Sequence, residues 1–109
     1  MKFEELNVTV ATLHGVCNDE VKLPNGEKGN IRFNFEWGAE FETLNIQSGA
    51  LNLSHNTTVT FSRTATGLRT MQVGPGVEGI SPSLVVGEYI ADFIARLKKA
   101  ELSVEIKNL

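Results

Sequence analysis

The chain has few of the side chains that most enzymes use for chemistry. It contains two histidines and one cysteine among 109 residues. A single cysteine excludes an internal disulfide. No stretch approaches the roughly 20 apolar residues of a membrane helix, and the opening residues, MKFEELNVTV, hold no apolar run typical of a signal peptide. We therefore expect a cytoplasmic protein.

Clustered positive charge is also missing. Thirteen acidic and ten basic residues give a net charge of −3, and residues 1–50 carry the acidic excess. Because proteins that bind nucleic acid present basic patches to the phosphates, we do not expect a nucleic acid partner. The composition that is present, 41% hydrophobic and 21% charged, is that of a globular protein. The length suits a single domain over residues 1–109.

Apolar and polar residues alternate along the first two-thirds of the chain, which is typical of half-buried strands. In the sequence NIRFNFEW every second residue is apolar. Residues 6–13 predict an earlier strand with Leu6 and Val8 on one face. A five-residue loop at 25–29 is predicted to set Leu23 opposite Ile31.

Residues 43–73 predict a four-stranded antiparallel meander. A two-residue Ser48-Gly49 turn begins it, and a loop at Asn56 then sets Leu53 opposite Val59. The last connection has two candidate turns, a two-residue Thr66-Gly67 turn and a three-residue loop at 65–67. The three-residue loop 65–67 ends in glycine, as a type I turn with a bulge requires.

This three-residue loop is the alternative that keeps apolar residues together. It opposes Phe61 to Met71 and, two residues further on, Arg63 to Arg69. The other face of the meander is then polar and almost uncharged, with the residues Asn45, Gln47, Asn52, Ser54, Thr58, Thr60, Ser62, Thr70 and Gln72. We expect this face, through Asn45, Asn52, Thr58 and Thr60, to form a partner interface.

A helix is predicted over roughly 82–100. Ser81 suits the N-cap and Pro82 the first helical position. The apolar stripe of the helix comprises Val86, Ile90, Phe93, Ile94 and Leu97. A short strand at 102–106 follows. The fold class is therefore α+β: an antiparallel sheet of six or more strands, with one C-terminal helix packed on one face.

Three glycines precede the helix with the spacing of a dinucleotide-binding loop, at Gly74, Gly76 and Gly79. That motif needs a parallel βαβ unit and a helix that starts within the glycines, and neither is predicted here. We interpret the segment as a connection from sheet to helix and expect no cofactor. The helix N-terminus at Ser83 could still hold an anion.

The remaining polar groups are sparse. His14, Cys17 and Asp19 lie in a predicted strand end and turn, where a semi-buried thiol is expected and too few ligands are present for a metal. Glu36, Glu40 and Glu42 could hold a cation or dock a basic partner, although a solvated sheet edge is the commoner meaning of such a group. No catalytic residue is assigned.

Two features point to binding. If Arg63 and Arg69 stand opposite each other, their repulsion calls for an anion or an acidic group. Gly87, Ala91 and Ala95 form a stripe of small residues on the helix, which fits either an internal contact or the same stripe on a second subunit.

The first functional hypothesis is a small non-enzymatic protein that docks on a protein partner through a polar sheet face or edge, as a homodimer. An accessory or inhibitory protein or an assembly subunit, such as a phage or another mobile element encodes, would have this character. The alternative is a small-molecule-binding protein or enzyme that holds an anionic ligand near Arg63, Arg69 and the loop 74–81.

Overall fold

A computed structural model describes residues 2–9, 12–38, 40–53, 57–73 and 80–99. Within these ranges it has six strands and one helix: β1 Phe3–Val8, β2 Thr12–Lys22, β3 Lys28–Gly38, β4 Thr43–Asn52, β5 Thr58–Thr64, β6 Gly67–Val73 and α1 Pro82–Lys98. Each strand pairs antiparallel with the next, so the order in the sheet is the order in the chain. The predicted α+β class, a sheet with one C-terminal helix packed on it, is confirmed.

The first strand ends earlier than predicted, because a turn divides residues 6–13. The Thr9 N–H donates to the Thr12 carbonyl over 2.8 Å, and the Thr12 N–H donates to the Thr9 hydroxyl oxygen over 2.9 Å. The single strand expected there was wrong. Val8, at the end of β1, is 61% exposed. Strand β2 then runs through the residues for which the sequence predicted a strand end and turn.

A tight turn joins β2 to β3 in place of the predicted loop 25–29. Gly26 adopts a φ of +87°, and the Leu23 N–H donates to the Glu27 carbonyl over 2.8 Å. Asp19, and not Leu23, therefore stands opposite Ile31. The predicted register was wrong by an even number of residues, so the same side chains still face inward.

The hairpin between β4 and β5 is also tighter than predicted. Leu51, and not Leu53, pairs with Val59. The Leu53 N–H donates to the Thr57 carbonyl over 2.8 Å and closes the strands at that end. Again the shift is even, and the predicted inner face is kept.

The predicted Ser48-Gly49 hairpin turn was wrong: Gln47 and Ser48 form a β-bulge opposite Asn34, and Gly49 follows it within the same strand. Strand β4 is continuous, and the partners of Phe33 and Phe35 on β3 are Gly49 and Ile46. One extra residue on β4 therefore lies between these pairs. An extra residue reverses the alternation of side chains just as a turn does, which is why the two were confused.

The turn between β5 and β6 has two residues, Ala65 and Thr66, where three were predicted. Thr64 pairs with Gly67, and its hydroxyl donates to the Gly67 carbonyl over 2.9 Å. Phe61 consequently faces Thr70 instead of Met71. This odd shift inverts the faces of β6, so the predicted register was wrong.

Helix α1 follows the prediction closely. Ser81 occupies the N-cap and Pro82 the start of the helix, although the Ser81 side chain makes no capping hydrogen bond. The helix ends at Lys98, near the expected end. Its buried side chains are Val85, Val86, Ile90, Phe93 and Leu97. The Phe93 ring centroid lies 5.2 Å from that of Phe33 and 5.0 Å from that of Phe35.

Polar contacts join the helix to strands near both edges of the sheet. The Tyr89 hydroxyl donates to Asp19 Oδ2 on β2 over 2.9 Å. The hydroxyl oxygens of Ser83 and Thr70, on β6, are 2.7 Å apart. The helix is therefore bonded to strands near both edges of the sheet. It covers the inner face, which forms the core. The predicted strand 102–106 and the glycine loop at 74–79 lie outside the described residues.

Candidate functional site: the open face of the sheet

The outer face of the sheet carries no covering layer in the described part of the chain. The molecule is 19 Å across its shortest dimension, which is the thickness of one sheet and one helix. This face continues across β1–β3, beyond the polar surface predicted for the meander. Its side chains alternate with the buried ones and include Glu5, Asn7, His14, Asn18, Asn30, Arg32, Asn34, Glu36, Asn45, Gln47, Asn52, Thr58, Thr60, Arg69 and Met71.

One end of the outer face is joined by its own hydrogen bonds. The Asn30 amide donates to Asn18 Oδ1 over 2.8 Å, and the Asn18 amide donates to Glu4 Oε1 over 2.6 Å. Arg32 donates to Glu4 Oε2, with Nη2 at 2.8 Å. The hydrogen bonds from Arg32 and Asn18 lower the pKa of the Glu4 carboxyl. This row spans β1–β3, and its groups already have partners.

Two of the predicted interface residues belong to the same end. The Thr58 hydroxyl donates to Asn52 Oδ1 over 3.1 Å. Asn52 in turn stands opposite Asn30 on β3. Thr60, another predicted interface residue, donates its hydroxyl to the Met71 carbonyl over 3.2 Å. These side chains are occupied within the sheet.

A groove of about 580 Å³ crosses the other end of the outer face. It is lined mainly by polar side chains of β1–β4, among them His14, Asn34, Glu36, Asn45 and Gln47. Within the described residues, these five side chains make no hydrogen bond or ion pair. Asn45 is the one predicted interface residue that lies in the groove. At the edge of the groove, the Asn7 amide donates to Glu5 Oε1 over 3.2 Å. The other five side chains form a row of donors and acceptors that have no partner among the described residues.

The groove forms where β5 leaves β4. Pairing between these strands stops at Gly49 opposite Phe61, although β4 continues to Thr43 beside β3. Gly49 is required at this point, since a Cβ on it would overlap the Phe61 ring and crowd Phe33. The bulge and the departing hairpin together open this end of the sheet.

The two arginines do not form the predicted pair. Arg63 stands opposite Leu68, and Arg69 stands opposite Ser62. Arg63 is on the same face of β5 as Phe61 and borders the groove. Arg69 is on the same face of β6 as Met71, which is the outer face. The register that would bring them together was wrong because the turn is one residue shorter. Ser83, the predicted anion contact, is hydrogen-bonded to Thr70.

The small-residue stripe lies on the exposed side of α1. Ala91 and Ala95 are exposed, and a Cβ built on Gly87 would meet nothing within 4 Å. Among the described residues, no other part of the chain packs closely on Gly87. Whether a second subunit does so stays a prediction.

Cys17 is fully buried inside β2 and not semi-buried in a turn. Its Sγ lies 3.2 Å from the Tyr89 hydroxyl oxygen, which itself donates to Asp19. The thiol therefore donates to the phenol. Burial, followed by the neighbouring Cys17 and Asp19, raises the pKa of Tyr89 well above its usual range. The cluster stabilises the contact between helix and sheet, and its thiol is inaccessible to a substrate.

The acidic residues near Trp37 are separated. Glu36 lies on the outer face, while Trp37 is buried on the inner one. Glu42 is 3.4 Å from Lys98 at the end of α1. Among the described residues, no group of three or more His, Cys, Asp or Glu side chains could hold a metal ion.

Known proteins do not identify the groove. No protein-family model, no curated protein and no solved structure matches the chain. The described part of the chain contains no helix that is both long enough and apolar enough to cross a bilayer.

Proposed function

We propose that the protein is a non-enzymatic docking module that binds a protein partner through the open end of its outer sheet face. The observation that carries the proposal is the contrast along that face. At one end the polar side chains are hydrogen-bonded to each other. In the groove, Asn34, Asn45 and Gln47 have no partner among the described residues.

Amide side chains suit a protein partner, because each offers both a donor and an acceptor. They can pair with backbone groups directly or through water, as in the polar contacts of non-obligate interfaces. Glu5 and Glu36 add negative charge to the groove, which favours a basic side chain at its centre. We propose that such a module acts in the cytoplasm, as an accessory or assembly protein of the kind that phages encode.

The alternative, an anionic small-molecule site, has less support. Its basis was a cross-strand pair of Arg63 and Arg69, and these residues stand at different positions on opposite faces of the hairpin. Arg63 alone borders the groove, where Glu5 and Glu36 would repel an anion. Thermal unfolding with phosphate, nucleotides and carboxylates separates the hypotheses, because a ligand bound only by the folded state raises the midpoint.

The docking proposal is tested by comparing proteins captured from the native host by matched baits. The test bait carries Asn34→Lys and Asn45→Lys, which place two positive charges in the groove at exposed positions. The control carries two lysines at exposed positions outside the groove, Asn52→Lys and Thr66→Lys. We expect a protein bound by wild type and control to be lost from the groove variant. Equal capture by all three baits would contradict the proposal.

We also propose a homodimer through Gly87, Ala91 and Ala95. The support is an exposed stripe with open space around Gly87, into which a second helix can approach closely. Ala91→Glu should convert the dimer to a folded monomer in sedimentation equilibrium. A wild-type monomer at tens of micromolar would exclude this interface.

A further inference from the structure

Strand β4 has an open edge along half of its length. Its residues Gly49–Asn52 pair with β5, but the pairing stops at Gly49 opposite Phe61. From Thr43 to Ser48, the only pairing within the described strands is with β3. Alternate backbone N–H and C=O groups of this segment consequently point to the side that β5 has left. Unpaired backbone on a sheet edge is a template for another strand.

The C-terminal end of helix α1 lies near this edge. Helix α1 ends at Lys98, and its Nζ lies 3.4 Å from Glu42 Oε2. Glu42 is the residue immediately before β4. The end of the helix thus lies beside the first residue of the open edge. A segment that continues from there along the sheet runs in the same direction as β4.

The sequence of this segment suits the position. In LSVEI, residues 102–106, apolar Leu102, Val104 and Ile106 alternate with polar Ser103 and Glu105. The alternation is that of a strand with one buried face, and the valine and isoleucine favour strands. Its length corresponds to the open part of β4.

Packing favours the same arrangement. The inner side of open β4 carries Leu44 and Ile46, and Leu97 on the last turn of the helix is also buried. A neighbouring strand with apolar residues on its inner side would extend this core. Its polar residues would then join Asn45 and Gln47 on the outer face.

We propose that residues 102–106 of the same chain add to the open edge of β4 as a seventh strand, parallel to it. Main-chain hydrogen bonds would supply the affinity, and the three apolar side chains would set the register. The short connection after Lys98 favours the chain's own segment over a partner's, because a tethered strand has a high effective concentration. This inference does not depend on the proposed docking function.

Hydrogen exchange of the protein with all 109 residues tests the proposal. Val104→Pro removes a backbone N–H from the added strand and restricts its φ. We expect the alternate amides of 43–47 that point away from β3 to exchange about tenfold faster or more. Amides of β2 and of the paired segment 49–52 should be unchanged, which shows that the variant is folded. Asn108→Pro, beyond the proposed strand, is the matched control and should leave exchange as in wild type.

Val104→Thr keeps the backbone N–H and the branched shape, and covers the case in which the proline variant does not fold. We expect it to raise exchange of the same amides by a smaller factor. Wild-type exchange in 43–47 that is already fast, or that neither variant changes, would overturn the proposal. Protection that disappears on dilution, together with a dimer in sedimentation, would assign the strand to a second copy and overturn the assignment to the same chain.

Discussion

The inner and outer faces of the sheet come from the same six strands, yet they are held in different ways. On the inner face, aromatic rings and aliphatic side chains of the sheet and helix bury one another. On the outer face, order comes from hydrogen bonds between side chains at one end, whereas five polar side chains of the groove make no such bonds among the described residues. A two-layer protein can therefore reserve one face for stability and leave the other open to sequence change and binding.

The largest expected effect tests the inner face. Phe93 is fully buried against Phe33 and Phe35, so Phe93→Ala should reduce the free energy of unfolding by about 3–5 kcal/mol. The matched change on the outer face, Asn45→Ala, should stay within about 0.5 kcal/mol. Urea denaturation measures both. Similar losses of unfolding free energy at the two positions would contradict the conclusion that the inner face supplies most of the stability.

The second prediction concerns Gly49, the residue that follows the bulge in β4. Gly49→Ala places a Cβ into the Phe61 ring, and the overpacking should reduce stability by about 1–3 kcal/mol. Because the strain lies between β4 and β5, the loss should be accompanied by faster hydrogen exchange in residues 49–52. A neutral substitution would show that β4 does not approach Phe61 so closely.

Tyr89→Phe should cost about 1–2 kcal/mol at neutral pH, because it removes the hydrogen bonds of the phenol to both Asp19 and Cys17. The folded state raises the pKa of Tyr89, whereas the unfolded value is about 10. Stability from the neutral phenol is therefore fully present below pH 10 and decreases at higher pH, as the unfolded chain ionises first.

Tyr89 is the only tyrosine in the chain, so tyrosinate absorbance reports its ionisation directly. In the folded wild type this absorbance should appear only well above pH 10 or on unfolding. The stability difference between wild type and Tyr89→Phe should shrink over the same range. Ionisation of the folded protein near pH 10 would show that the phenol is not held between Cys17 and Asp19.

The smallest predicted effect is an increase in stability. Gly87→Ala adds a Cβ where nothing lies within 4 Å, and the helix interior favours alanine over glycine by about 1 kcal/mol. The monomer should melt at a higher temperature. If the stripe is also a dimer interface, the same change should weaken association, and sedimentation separates the two effects.

The pattern of side chains predicted much of this structure, and turn geometry limited the rest. The period-two alternation gave the inner residues, since even errors in register at Leu23 and Leu53 do not exchange the faces. Helix α1 was predicted well because its start signals, Ser81 and Pro82, are local. The turn at 65–66 was different, because a one-residue error moved Arg69 away from Arg63.

The groove could not be predicted, because it depends on where two strands stop pairing. The sequence around Ser48 and Gly49 marks a change in alternation, but a hairpin and a bulge produce the same change. The pairing of both 43–46 and 49–52 with the one strand β3 distinguishes them. The polar residues of β2 and β3 were visible in the sequence, and their place on the same face would have followed from recognising β2 as a full strand.

The neighbour-to-neighbour order of the strands also sets a sequence of events during synthesis. Each hairpin needs only local contacts, which favours rapid formation. The helix that covers Phe33 and Phe35 follows all six strands in the chain. Until the ribosome has released residues 82–98, the growing sheet presents an uncovered aromatic surface, and this is the interval in which the nascent chain is most exposed to aggregation and most in need of a chaperone.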